Sequence, residues 1–255
     1  MNQSLTGQEV RKLCRTGKLT APTPGLANGY TQANLVILPA SVAFDFLLFC
    51  HRNPKPCPLL DVTEVGNPEA RYVAPISDLR TDLPRYRVWH HGEMVEEVTD
   101  VKHLWRDDFV GFLIGCSFSF EAAMLNANIP VRHIEEGKNV PMYKTNIACE
   151  RAGIFSGNLV VSMRPLSPAD AIKSVQITSR FPLSHGAPIH WGDAAKIGIN
   201  DIDKPDFGDA VTIYDSEAPV FWACGVTPQV ALLQAKPEIA ITHAPGHMFI
   251  TDIKE

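Results

Sequence analysis

Several short stretches of this 255-residue chain place nucleophiles, acids and bases where the backbone must turn. In residues 109–125, "FVGFLIGCSFSFEAAML", an apolar run ends in Cys116, Ser117, Ser119 and Glu121, just before a helix-like segment. Amides at a helix start attract anions, so a carboxylate could be held there. A cysteine in that position can have a depressed pKa and act as a nucleophile. The pattern approaches the G-x-S-x-G elbow, but Ser119 stands where the last glycine should be. The plainer reading is a small-residue corner, with Cys116 in the core and Ser119 capping the helix.

A second stretch, 181–209, reads "FPLSHGAPIHWGDAAKIGINDIDKPDFGD". His185, His190 and Asp193 are near one another in sequence but too few to specify a metal site. His190 could act as a general base or bind a carboxylate, or the segment could be a glycine-rich connection. In "AITHAPGHMFITD" (240–252), His243 and His247 lie four apart, but Pro245 and Gly246 break any helix between them. That predicts a turn at a strand end, and no metal is assigned. Arg132, Lys144, Asn146 and Arg164 lie on or beside predicted strands. Arg132 or Arg164 could grip an acidic substrate by two prongs; ordinary surface pairing is the alternative.

The elements that must position these groups are partly readable. Thr6 and Glu9 form a capping box for a helix over about 7–16, with Gly17 behind it. "TAPTPGLANGY" (20–30) must be irregular, and "SVAFDFLLFCH" (41–51) is apolar almost all round, the mark of a buried helix. "RYRVWHHGEMVEEV" (85–98) predicts a hairpin turning at His91 and Gly92. The run 109–115 reads as a strand covered on both faces, with a helix beginning near Ser119. "MYKTNIAC" and "NLVVSMRPL" read as strands, and Ser167-Pro168 as a helix start reaching about Arg180. "FWACGVTPQVALLQA" (221–235) repeats the strand–Cys–helix plan, with Thr227 as the expected cap.

Two such corners predict an α/β fold: a layered, largely parallel or mixed sheet domain with a smaller inserted α+β subdomain. The expected division is a main domain of 1–134 and 183–255, with 135–182 inserted.

Composition bounds the function. The chain is 45% hydrophobic with a net charge of −5, which argues against nucleic-acid binding. Its longest apolar runs fall far short of the roughly 18 residues of a membrane helix. The N-terminus lacks the apolar core of a signal peptide, so a cytoplasmic protein is expected. Six cysteines without a C-x-x-C pair read as buried free thiols. No cofactor fingerprint is present and no cofactor is expected; the apolar content suits a large core or a homo-oligomer interface.

These segments together resemble the hydro-lyase family that includes proteins described as D-glutamate cyclases. The resemblance is carried by "GLANGYTQANLVILP" (25–39), "NPKPCPLLDVTEVG" (53–66), "FLIGCSFSFE" (112–121) and "YKTNIAC" (143–149). It continues in "RPLSPADAIKSVQITSRFPLSHGAPIHWGD" (164–193), "PDFGD" (205–209) and "ITHAPGHMFITD" (241–252). It implies an α/β fold and elimination of water from a small carboxylic or amino acid, D-glutamate to 5-oxo-D-proline being the named candidate. For that reaction the catalytic candidates are Cys116, Ser117, Ser119, Glu121 and His190, with His190 or Glu121 as base or acid. The substrate-binding candidates are Arg132, Asn146, Arg164, His185, Asp193, His243 and His247. The alternatives are a non-catalytic binder of small carboxylates and, more weakly, a Cys116-dependent hydrolase.

Overall fold

The computed structural model describes residues 5–254. In chain order the elements are α1 (Gly7–Arg15), β1 (Tyr30–Pro39), α2 (Ala40–Arg52), β2 (Leu59–Val62), β3 (Tyr86–His90), β4 (Glu93–Val98) and β5 (Phe109–Gly115). Then come α3 (Phe118–Asn126), the single turn α4 (Arg132–Glu135), β6 (Met142–Ala148), β7 (Asn158–Leu166) and α5 (Pro168–Thr178). The chain finishes with β8 (His190–Trp191), β9 (Ala218–Ala223), α6 (Val226–Ala235), β10 (Ile239–His243) and β11 (Phe249–Lys254).

Two sheets result. The larger runs β2-β5-β1-β10-β3-β4, with β11 pairing the start of β1; the smaller runs β6-β7-β9-β8. The mixed helix-and-sheet architecture agrees with the sequence, but the parallel expectation is corrected: every strand pairing among the described residues is antiparallel. A strand-to-helix corner fixes the element after a strand, not the strand beside it. Here β5 pairs β1 and β9 pairs β7, and both neighbours run the opposite way. The boundary expected at 182 does not coincide with a sheet edge either. β6 and β7 come from 135–182, whereas β8 and β9 complete the same sheet from beyond it.

Alternation along the strands builds the layers. Val36, Leu38, Phe112 and Ile114 of the large sheet pack with Val161, Met163, Phe221 and Ala223 of the small one. The helix α2 joins this shared core through Phe46 and Phe49, Phe46 meeting Phe112 edge-on at 4.9 Å. Only this face is buried, not the whole helix as its sequence suggested, and Phe44 on the other side is 71% exposed. Leu35, Ile37, Leu113, Val88 and Ile241 face the other way, under a loop carrying Ala70, Val73, Ala74 and Leu79. The outer face of the small sheet carries Val220, Trp222 and Leu166, covered by Phe120 and Met124 of α3 and Ala171 of α5. β5 is therefore buried along its whole length, as its apolar run requires.

Local signals hold closely. Thr6 and Glu9 form the capping box, Ser167 caps α5 with Pro168 at its first turn, and β3–β4 turns at His91-Gly92. Two caps are corrected. The N-cap position of α3 is Ser117, without a side-chain capping bond, because the Ser119 hydroxyl instead accepts the Gln32 amide at 3.2 Å. The N-cap of α6 is Gly225, because Thr227 is drawn to β7, taking the Val160 amide at 3.0 Å. No helix among the described residues is long and apolar enough to cross a membrane.

The end of β5 tolerates no side chain. A Cβ at Gly115 would lie 1.6 Å from the carbonyl oxygen of Leu183, so the 182–185 segment is pressed against this corner. Gly115→Ala must push that segment away; we expect a loss of about 1–3 kcal/mol in urea unfolding, whereas an unchanged midpoint would mean the segment is not seated there.

Candidate functional site

The two strand-to-helix corners share one local plan. After β5 come Cys116 and Ser117; after β9 come Cys224 and Gly225. Ser117 (φ −63°, ψ −17°) and Gly225 (φ −64°, ψ −5°) take nearly the same backbone conformation. In the second corner the Cys224 thiol donates to Met142 Sδ at 3.5 Å. Each cysteine carbonyl accepts the amide three residues on, Ser119 at 3.3 Å and Thr227 at 3.0 Å. The amides between, of Ser117 and Gly225, have no hydrogen-bond acceptor among the described residues. Buried N–H groups in that condition are rare.

Asn34 joins the corners. Its Nδ2 donates to the carbonyls of Ile114 (3.2 Å) and Gly115 (3.0 Å). A Cβ on Gly225 would lie 2.3 Å from the same Nδ2, so glycine is required for the second corner to come this close. Cys116 and Cys224 are consequently near enough for a charge on Cys224 to act on Cys116. Burial pushes the Cys116 thiol up to about 12 and that of Cys224 to about 11. Burial thus acts against the thiolate that a Cys116 nucleophile would need.

Beside Ser117 lies a buried charge cluster. Arg164 on β7 is fully buried, its guanidinium against the rings of Phe120 (5.1 Å) and Trp222 (5.2 Å), which themselves meet at 5.8 Å. It donates to Glu121 through both Nη2 and Nε, to Ser162 Oγ at 3.0 Å, and to Ser117 Oγ at 3.4 Å. His133 Nε2 lies 3.3 Å from the same Glu121 oxygen. Burial by itself would raise the Glu121 carboxyl, but Arg164 and His133 together hold it below the usual range. Glu121 is thus an ionised structural partner and not a base poised to titrate near neutrality.

His185 reaches this corner through its own segment: it is 1% exposed, and two residues before it the Leu183 carbonyl presses on Gly115. His190 does not join them. It pairs with Phe221 and therefore shares the sheet face opposite Trp222, with its Nε2 2.8 Å from the Asp193 carbonyl. Asp193 itself accepts the Ala195 amide, and Asn146 is exposed beneath Gly198. Arg132 is saturated by Glu217, Glu135 and the Thr212 carbonyl and lies over Tyr214. His243 accepts the Leu35 amide at 3.2 Å with Gln229 alongside, while His247 donates to the Pro245 carbonyl. No group of three or more His, Cys, Asp or Glu among the described residues is placed to hold a metal ion.

The structure thus brings together Cys116, Ser117, Glu121, Arg164 and His185, keeps Ser119 at the same corner with its hydroxyl engaged by the Gln32 amide, and leaves the other candidates elsewhere. Asn34, His133, Ser162, Cys224 and Gly225 belong to the cluster but are not among the candidates read from the sequence. One signal was available for Asn34, a carboxamide in a strand buried on both faces. The repeated Cys corner was a signal for Cys224.

Comparison with known proteins gives a consistent picture. A family model described as D-glutamate cyclase matches residues 110–252. The chain is 62% identical over 251 residues to the protein named "Putative hydro-lyase GK2103" of Geobacillus kaustophilus, covering 98% of this chain and 95% of that one. It is 61% identical to "Putative hydro-lyase YcsI" of Bacillus subtilis, covering 97% and 96%. Among solved structures, a nitrogen repressor-like protein from Methanococcus jannaschii aligns over 93% of this chain and 92% of its own. Its TM-score of 0.39 at 10% identity is too loose to define a shared fold.

The cluster makes two predictions. Arg164→Met leaves Glu121 in the core without its guanidinium partner, with only His133 beside it, and should cost about 3–5 kcal/mol in urea unfolding. The double variant with Glu121→Gln should recover part of that loss, and strict additivity would refute a coupled pair. Burial above all pushes both His185 and His243 down from 6.5 to about 4. The unfolded chain therefore binds these protons first, so stability is full above pH 6.5 and is lost as pH falls toward 4. The slope is up to about 1.4 kcal/mol per pH unit for each histidine. His243→Phe should flatten this limb in a series of urea titrations; an unchanged slope would contradict a buried neutral His243.

Proposed function

Because the chain belongs to the D-glutamate cyclase family, we propose that it eliminates water from a small amino or carboxylic acid, with closure of D-glutamate to 5-oxo-D-proline as the specific reaction. The observation that carries the reading is the meeting of two strand-to-helix corners at Asn34, with unpartnered Ser117 and Gly225 amides beside the buried Arg164.

In this closure the amine nitrogen attacks the side-chain carboxyl carbon, a C–N bond forms, and one carboxyl oxygen departs as water. Negative charge gathers on the remaining oxygen in the transition state. Two fixed backbone N–H groups in a water-poor site suit that oxygen, since they need no reorganisation as charge develops. Arg164 supplies a positive field for the acid, and the Ser117 hydroxyl can donate while its oxygen accepts from Arg164. Chemistry of this kind uses dipoles held in place, and Asn34 fixes the first corner through the carbonyls of Ile114 and Gly115.

Purified protein incubated with D-glutamate should yield 5-oxo-D-proline by chromatography at neutral to mildly alkaline pH. A rise in melting temperature with D-glutamate unconsumed would instead favour a carboxylate binder. Ser117→Pro deletes the corner amide without changing the local φ of −63°. That variant should therefore be slower than Ser117→Ala by roughly 10²–10³-fold, and equal rates in the two would remove the amide from the mechanism.

A further inference from the structure

We infer that His185 is the group that accepts a hydrogen bond from the substrate's amine or hydroxyl, so that the site selects amino and hydroxy acids over plain dicarboxylates. The inference rests on the reading in the preceding subsection and adds the substrate feature that reading leaves open.

Hydrogen-bond satisfaction points to this role. His185 Nδ1 lies 2.9 Å from the backbone carbonyl of Lys55, which can only accept. Nδ1 therefore carries the proton, and in the neutral ring Nε2 is a bare acceptor. That Nε2 is buried and has no partner; among the buried side-chain nitrogen and oxygen atoms of the described residues, Arg85 Nε alone shares this condition. The rest of the Arg85 head group is engaged with Glu97, whereas no donor within the described structure completes His185. A buried polar atom left open asks for an explanation, and an external donor supplies one.

The ring is also firmly held. His185 adopts φ +73° and Gly186 follows at +66°, a left-handed pair that a histidine rarely occupies. Two residues earlier, the Leu183 carbonyl is wedged against Gly115, the last residue before the Cys116 corner. The charges acting on the ring are those of Arg164 and Lys55. Both favour a neutral imidazole and an anionic guest.

The protons balance. An ammonium nitrogen becoming a lactam nitrogen sheds two protons, and one carboxylate oxygen leaves with both as water. Both protons pass, net, from the nitrogen to the departing oxygen, while Nε2 accepts the hydrogen bond that orients the attacking nitrogen.

The test is calorimetric titration of the whole protein and its His185→Phe variant with D-glutamate, D-2-hydroxyglutarate and glutarate. The wild type should bind the amino and hydroxy acids at least ~10-fold more tightly than glutarate, and His185→Phe should bind all three about equally with glutarate affinity unchanged. Should that variant not fold, His185→Gln takes its place, and long-range proton–nitrogen spectra of the wild type must show the proton on Nδ1. Equal binding of the three acids by the wild type, discrimination surviving in the variant, or a proton on Nε2 would each overturn the inference while leaving the lyase reading standing. Failure of the wild type to bind any of the three acids would overturn both.

Discussion

A guanidinium closed off from water is the constraint around which this molecule is arranged. Arg164 has no exposed surface, and an unpaired charge in that position would prevent folding. Its compensation is drawn from four places in the chain: Glu121 and Ser117 from the β5 corner and α3, Ser162 from its own strand, and the rings of Phe120 and Trp222. Each lies on an element that must be in register before the charge is satisfied. The small sheet, α3 and the corner between β5 and α3 are therefore tied to one another by a single side chain. Glu121 is held in turn by His133, so α4 belongs to the same assembly.

The second organising feature is repetition of one turn. Both corners use a cysteine to end the strand, its carbonyl taking the amide three residues on, and both leave the amide after the cysteine without a partner among the described residues. The sulfur is large enough to fill the corner and apolar enough to be buried. This works against the thiolate that their position at a helix start would ordinarily favour. Burial outweighs the helix start, and the pKa rises instead of falling. What makes two separate turns into one site is Asn34, whose amide binds the first corner and whose bulk excludes any side chain but hydrogen from the second.

Nearest-neighbour chemistry was legible in the sequence. The Thr6–Glu9 capping box, the Ser167-Pro168 helix start, the buried strand at 109–115, the helix α2 and the hairpin at His91-Gly92 all depend on residues a few positions apart, whose preferences survive in almost any context. The family resemblance was legible for a different reason, since long ordered matches reach across the chain.

Tertiary structure alone decided the rest. Strand direction is not legible at a corner, which says nothing of its strand's neighbours. Ser119 and Thr227 have the residue type of caps, yet each hydroxyl finds a backbone group on a distant strand, Gln32 in one case and Val160 in the other. Glu121 has the makings of an acid or base until Arg164, 43 residues away, is set against it. His190 and His185 cannot be ranked from their spacing, because one ring faces the shared core and the other is buried among the charges of Arg164 and Lys55. A residue's type and its close neighbours determine what it can do. Which of those things it does depends on the dielectric, the charges and the hydrogen-bond partners that only the folded chain assembles around it.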